Sequence, residues 1–138
     1  MQVLPFGTAP GQNAMGMPVA FSNAISLELR EIRQLTWVSG QLAFDENNQL
    51  VGVGDIRAQT EQCLKNIERS LAQLGGSLAD VVQVTVFVRD MSELAAIHDM
   101  RLRYFRDPLP TSTLVAVSGF VDPRAMIEIN AVAALRSG

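Results

Sequence analysis

A single glutamate near the C-terminus of the chain combines a proton-transferring side chain with apolar neighbours. Glu128 lies in residues 126–135, MIEINAVAAL, where apolar and polar residues alternate. A carboxylate on a strand can take a proton from water and return it, which is general acid–base catalysis. Glu128 is therefore the candidate catalytic residue, acting through a bound water. The alternative is a solvated glutamate on the outer side of an edge strand, which gives the same alternation.

A second candidate site is the segment 38–41, V-S-G-Q, in a predicted strand. Glycine lacks a Cβ, so backbone N–H groups beside Gly40 can approach a ligand closely. Ser39 and Gly40 would then hold a small oxyanion or a carboxylate. The same segment is also typical of a β-bulge or turn that binds nothing.

Two basic residues lie on or beside the inward stripe of one predicted helix, and the single cysteine lies in another. His98 can carry a proton near neutral pH, or it can be structural. Arg101 can bind a carboxylate through two parallel hydrogen bonds, or extend its guanidinium from the stripe to water. We expect Cys63 to be an inert packing residue, because nothing in its surroundings would lower the pKa of its thiol.

The hydrophobic pattern predicts the two helices that carry these residues. The first begins after Asp55 as N-cap and ends at the glycine pair 75–76. The second begins after Ser92 as N-cap and is stopped by Pro108 and Pro110. Each has an apolar stripe at steps of three or four residues: Thr60, Leu64, Ile67, Leu71 and Leu74 in the first, and Leu94, Ile97, Tyr104 and Phe105 in the second.

Six strands are predicted around these helices. Three precede the first helix, at 18–29, 35–44 and 50–53, with turn residues at 45–48. The strand 81–88, VVQVTVFV, is apolar on both faces except at Gln83 and Thr85, so we expect it to be covered on both sides. Strands at 112–118 and 126–135 complete the pattern.

The resulting order, βββαβαββ, indicates one α+β domain with a mostly antiparallel sheet backed by two helices. Two helices can cover only one face of such a sheet, so we expect a symmetric oligomer to bury the other. Residues 1–17 are rich in Gly, Pro, Ala and Met without periodicity, which predicts a loosely ordered arm. The domain itself is predicted to span 18–138.

Composition narrows the possible functions. Of the 138 residues, 48% are hydrophobic and 18% charged, and the formal net charge is −3. Such a chain lacks the basic surface of a nucleic-acid-binding protein. No Cys/His cluster, phosphate-binding loop or zinc-protease motif is present, so we expect no metal and no cofactor. No signal peptide or membrane span is predicted either, which indicates a cytoplasmic protein.

Several segments together resemble the RidA/YjgF family, also called L-PSP endoribonuclease-like. The helix and strand between 59 and 91 are the most specific part, and the resemblance extends from about residue 18 to the C-terminus. The matching segments are FSNAI near Phe21, VSGQ at 38–41, QTEQCLKNI at 59–67, LGGSLADVVQVTVFVRDM at 74–91, RYF at 103–105, LPTSTLVAV at 109–117 and IEINAVAAL at 127–135.

This resemblance implies a chorismate-mutase-like fold and a homotrimer with a ligand cleft between each pair of subunits. In deaminating members, a glutamate in the last strand positions water and an arginine after helix two grips the substrate carboxylate. Glu128 matches the glutamate, and Ser39 with Gly40 matches the backbone cradle. Ser112 stands at the arginine position, so the usual carboxylate clamp is missing.

Four further positions near the implied cleft are unusual for the family. Leu114 replaces a cysteine and Phe21 replaces a tyrosine, which makes the cleft more apolar. His98 replaces an asparagine, and Arg101 stands where a tyrosine is frequent. The chain therefore has two additional basic groups, His98 and Arg101, near the position where the family's arginine is missing. Arg101 or Arg124 is a candidate to replace that arginine as the carboxylate clamp.

Two functions follow from these residues and the resemblance. The first is hydrolysis of a reactive imine or enamine metabolite to a carbonyl compound and ammonia, with a substrate that differs from 2-iminopropionate. The second is a trimer that binds a small metabolite in the same cleft without turnover. The acidic charge balance argues against the ribonuclease activity in the family's name.

Overall fold

The computed structural model describes residues 1–6 and 19–137. Six strands and two α-helices form this part of the chain, and three short 3₁₀ turns connect them. The strands are β1 (Gln2–Pro5), β2 (Ser22–Ser26), β3 (Ile32–Gln41), β4 (Val81–Val88), β5 (Thr111–Ala116) and β6 (Ile127–Arg136), and the helices are α1 (Ile56–Gln73) and α2 (Leu94–Tyr104).

The six strands form one sheet in the order β1-β2-β5-β4-β6-β3. The pairs β1–β2, β4–β6 and β3–β6 are antiparallel. The pairs β2–β5 and β4–β5 are parallel. The α+β class is confirmed, but the sheet is mixed instead of mostly antiparallel, because the α2 connection returns the chain in the direction of β4.

The predicted order βββαβαββ is found, and the strands predicted at 18–29 and 35–44 correspond to β2 and β3, but one of the first three strands is not the one expected. The predicted strand at 50–53 is a loop with one isolated bridge between Phe44 and Leu50. Gly52 and Gly54 in this loop have φ of +67° and +79°, which an extended strand excludes. The third strand is instead β1, within the segment predicted as a loosely ordered arm. The rest of that arm, residues 7–17, lies outside the described residues.

Helix α1 follows the prediction closely. The Asp55 side chain accepts a hydrogen bond from the Ala58 N–H at 3.1 Å, which caps the helix. Thr60, Leu64, Ile67 and Leu71 are buried against the sheet, whereas Leu74 is half-exposed beyond the last turn. Gly75 then ends the helix with a φ of +85°.

Helix α2 begins one residue later than predicted, at Leu94, and its N-cap is Glu93 instead of Ser92. Asp90 accepts from the Ser92 N–H at 2.9 Å and starts a 3₁₀ turn, which leads into the helix. The buried face consists of Ile97, His98, Met100 and Arg101, and Phe105 follows it as a further buried residue. The sequence prediction that His98 and Arg101 lie on or beside the inward stripe is thus confirmed.

Both helices pack on the same face of the sheet. On β4 this face carries Val84, Val86 and Val88, which are fully buried with Ile97 of α2 and Leu64 of α1 in one core. Neither α1 nor α2 is long and apolar enough to cross a membrane.

The opposite sheet face is open in the single chain. Gln83 is exposed, and Thr85 and Phe87 of β4 are half-buried, so within one chain only the helix side of β4 is covered. The expected cover on its second side stays a prediction. Large apolar side chains on this face reach solvent, above all Trp37 of β3, which is 69% exposed. Val115 of β5 is also exposed. We call this surface the open face.

Candidate active site

Glu128 lies on the open face, near the start of β6. It pairs with Phe87 of β4, while its neighbours Ile127 and Ile129 point into the core. The predicted alternation of β6 is therefore confirmed. Glu128 is half-buried and makes no hydrogen bond or ion pair within the described residues. Its carboxylate oxygens are thus available to a water molecule or a ligand.

The segment V-S-G-Q forms a β-bulge against β6. The register between β3 and β6 shifts between Val38 and Gln41, so Ser39 and Gly40 stand opposite one partner residue. A Cβ placed on Gly40 would lie 2.8 Å from Glu128 Cδ and 3.0 Å from its Oε2. The glycine therefore makes the space that the Glu128 carboxylate occupies.

This carboxylate opens into a cleft of about 340 Å³ at the edge of β3. Arg69 of α1 lies in the same cleft, and its Nη2 donates to Asn66 Oδ1 at 2.9 Å. The buried Asn66 amide also donates to the carbonyls of Leu42 and Phe44, so it fixes the cleft wall. The sequence analysis missed both residues, because helical spacing alone places Arg69 on a solvated face.

A buried amide positions the start of β6. Gln59 of α1 is fully buried, and its Nε2 donates to the Arg124 carbonyl at 3.1 Å. Its Oε1 accepts from the Met126 N–H at 2.8 Å. The two bonds fix the backbone at Arg124 and Met126, just before the strand that carries Glu128.

A second group of predicted site residues lies on the helix side of the sheet. Arg101 is 1% exposed, and its Nη2 donates to the Ala20 carbonyl at 3.2 Å. Burial lowers the pKa of Arg101 to about 10, because the charged guanidinium has lost its water. His98, one turn earlier on α2, is also buried. The guanidinium does not extend to solvent, which was one of the two predicted possibilities.

Ser112 and Leu114 face the same side as these two residues. They stand beside Val84 and Val86 of β4, which point into the core under the helices. Phe21 lies next to β2, where its ring makes an edge-to-face contact with Phe6 at a centroid distance of 4.8 Å. Within one chain, this group and the Glu128 group therefore lie on opposite faces of the sheet.

Two other candidates are set aside by their contacts. Arg124 forms a two-bond ion pair with Asp122, through Nη2 at 2.7 Å and Nε at 3.0 Å, and does not extend over Glu128. Cys63 is fully buried, with its Sγ 3.9 Å from the Ile127 carbonyl, and burial raises the pKa of its thiol. The prediction that Cys63 is a packing residue is confirmed, and its lack of reactivity stays a prediction. Within residues 1–6 and 19–137, no group of three His, Cys, Asp or Glu side chains could hold a metal ion.

Comparison with known proteins connects this geometry to a family. A family model for endoribonuclease L-PSP matches residues 12–135. The 3-aminoacrylate deaminase RutC of Acinetobacter baylyi is 43% identical over 99 residues, which cover 72% of this chain and 78% of that protein. A RutC family protein of Pyrococcus horikoshii is 36% identical over 97 residues, covering 70% of this chain and 76% of that protein.

Solved structures give the same result for the fold. The Rid family protein YyfB of Yersinia pestis superposes with a TM-score of 0.82 at 30% identity, covering 97% of this chain and 98% of that one. RidA from an Antarctic Psychrobacter species superposes with a TM-score of 0.69 at 26% identity, covering 96% and 94%. The chain belongs to the RidA/YjgF family, the family of the endoribonuclease L-PSP model.

Proposed function

We propose that this protein is a deaminase that hydrolyses a reactive enamine or imine to a carbonyl compound and ammonia. The observation that carries the proposal is the Glu128 carboxylate, which is unpaired, half-buried and seated against the Gly40 bulge in an open cleft. A carboxylate so placed can activate water. The similarity to a 3-aminoacrylate deaminase supports the same chemistry. A cytoplasmic location and a small-metabolite substrate belong to this proposal.

The reaction needs only proton transfers and one water. The enamine is first protonated on the double-bond carbon that does not bear nitrogen, which gives the iminium ion. Water then adds to the carbon that bears nitrogen, and Glu128 takes the proton that this water loses. That proton then passes from Glu128 to nitrogen. As the C–N bond breaks and ammonia leaves, the new hydroxyl group loses its proton and the aldehyde or ketone forms. The proton lost in this last step balances the one that was added to carbon in the first step. The chain's own task is to hold the water and the reacting carbon together.

The substrate is proposed to differ from 2-iminopropionate, because Ser112 carries no charge to grip a carboxylate from β5. A charge-assisted hydrogen bond contributes about 1.5–3 kcal/mol. We therefore expect kcat/KM for 2-iminopropionate to be at least about tenfold below that of a family member that carries the arginine. The compound is generated by serine dehydration, and carbonyl release is followed for both proteins. Comparable values for the two proteins would contradict this substrate assignment.

A homotrimer is part of the proposal. The two groups of site residues lie on opposite faces of one chain, so they serve a single ligand only if a second copy brings its Glu128 to the helix-side group. The open face offers exposed apolar residues for such contact, above all Trp37 and Val115. Threefold symmetry would then give three equivalent clefts.

We expect light scattering to give three times the chain mass of 15.0 kDa at micromolar concentration. The Trp37→Glu variant should shift the protein toward smaller species, because it would bury a charge without a partner. Met91→Glu changes another exposed apolar residue, on the turn before α2, and serves as the control. A monomeric unchanged protein, or a trimer that Trp37→Glu leaves intact, would contradict the proposed assembly.

The second candidate function is metabolite binding without turnover. The observation that favours it is Ser112, since a cleft without the usual arginine is compatible with a ligand other than the family's substrates. Screening enamines and imines for accelerated carbonyl release separates the two functions. Acceleration supports the deaminase, and binding of a metabolite without acceleration supports the binding protein.

A further inference from the structure

Most N–H groups of the Arg101 guanidinium make no hydrogen bond within the described residues. Its Nη2 donates to the Ala20 carbonyl. Neither Nε nor Nη1 has a hydrogen-bond partner among the described residues, although both atoms are buried. Nε carries one N–H bond and Nη1 carries two. The buried cation therefore has several N–H groups for which the described residues provide no acceptor.

The charge of Arg101 is also uncompensated. Arg57, Arg69, Arg103 and Arg124 each pair with a carboxylate at the protein surface. No carboxylate lies within ion-pair distance of Arg101 in residues 1–6 and 19–137, even though its side chain is almost fully buried. A buried charge without a partner is strongly unfavourable, and natural proteins pair such groups with an opposite charge. The arrangement fits an anion that binds from outside the chain.

The position of the guanidinium is informative as well. Ala20 stands two residues before Ser22, whose N–H donates to the Pro110 carbonyl and which pairs with Thr111 at the start of β5. The donors of Arg101 therefore lie near Ser112, on the same side of the sheet. The cationic group at this place comes from α2 instead of from β5.

We infer that Arg101 is the carboxylate-binding residue of this protein and holds the anionic end of an enamine-carboxylate substrate through its Nε–H and Nη1–H groups. The inference rests on the proposed function and names the residue that fixes its substrate class. An arginine donates to a carboxylate through parallel N–H groups, which orients the ligand as well as binding it. An arginine on α2 holds the carboxylate at a different place from an arginine on β5. This fits a substrate in which the distance between the carboxylate and the reacting carbon differs from that in 2-iminopropionate.

The test uses 3-hydroxypropanoate, a stable carboxylate probe, and 3-hydroxypropanamide, its uncharged counterpart. Calorimetry on the full-length protein should show that the carboxylate binds at least about tenfold more tightly than the amide. Arg101→Met should abolish this preference, and Arg101→Lys should weaken it, because lysine keeps the charge but loses the planar fork. The ligand-free melting temperature of Arg101→Met should be equal to or above that of the unchanged protein, since a buried unpaired charge is removed.

Arg103→Gln is the matched control, because it removes an exposed arginine from the same helix. It should keep the full preference for the carboxylate. Arg69→Gln tests the arginine in the Glu128 cleft, and loss of the preference there, with Arg101→Met unchanged, would overturn the inference. The inference would also be overturned if Arg101→Met dissociated the trimer but kept the preference for the carboxylate. Arg101 would then pair with an acceptor of a second copy instead of with the ligand.

The result is separable from the proposed function, because probe binding needs no turnover. An Arg101-dependent preference for the carboxylate in a protein that accelerates no deamination would support this inference and refute the deaminase. Unchanged KM and kcat on 3-aminoacrylate in Arg101→Met would refute this inference and leave the deaminase standing. Absence of any carboxylate preference in the unchanged protein would also overturn it.

Discussion

Glu128→Gln is expected to slow deamination by a factor of about 10² to 10⁴ while ligand affinity is nearly kept. The amide has the shape of the carboxylate and can still bind a water molecule, but it cannot take the proton that the water loses. Because Glu128 makes no hydrogen bond or ion pair within the described residues, the substitution breaks none of the polar contacts that hold this part of the fold together. The measurement is kcat for 3-aminoacrylate together with the Kd of a stable product analogue.

Glu68→Gln is the control for this variant, because Glu68 is an exposed glutamate on α1. Its kcat should match that of the unchanged protein. If Glu128→Gln keeps kcat within a factor of about three, Glu128 is not the general base. Catalysis would then have to come from His98 or from the backbone of the Ser39-Gly40 bulge.

Gly40→Ala is expected to lower kcat by a factor on the order of 10² through geometry alone. The new Cβ would lie 2.8 Å from Glu128 Cδ, so the carboxylate has to move off the bulge. The Gly40 backbone is outside the left-handed region, and the atoms that must move are the end of a flexible side chain. We therefore expect the melting temperature to stay close to that of the unchanged protein while activity falls.

Gly119→Ala is the matched glycine variant, since the nearest atom to a Cβ there is Arg89 Nη2 at 4.0 Å. It should leave both kcat and melting temperature unchanged. A Gly40→Ala protein with full activity would show that the Glu128 carboxylate need not sit against the bulge. A large fall in melting temperature would instead assign Gly40 a structural role.

The sequence correctly predicted those features of the fold that depend on residue spacing within a single helix or strand. The cap at Asp55, the buried stripe of α1 and the alternation around Glu128 are all found, because each depends on periodicity within one element. The loop at 50–53 was wrongly predicted as a strand. Its valines favour strand, but Gly52 and Gly54 adopt positive φ to bring the chain into α1.

The errors have a common physical cause, which is tertiary contact. Strand β1 is short and exists through its pairing with β2, so composition alone indicated a loose arm. Helical periodicity placed Arg101 on the inward stripe but could not decide whether its guanidinium reaches water. Arg69 was missed because its place in the cleft depends on the Asn66 amide, which bonds a distant strand end.

The sheet order has a consequence for how the protein is made. Of the six described strands, β6 is the last to be synthesised, yet it lies between β3 and β4, and it is the only described strand that pairs with β3. Pairings between such distant parts of the chain form slowly, and on the ribosome β3 stays unpaired until β6 emerges. Its free backbone N–H and C=O groups are a template for pairing with other chains during that interval. Glu128 meets Gly40 in the same step that closes the sheet, so a nascent chain acquires its fold and its cleft together.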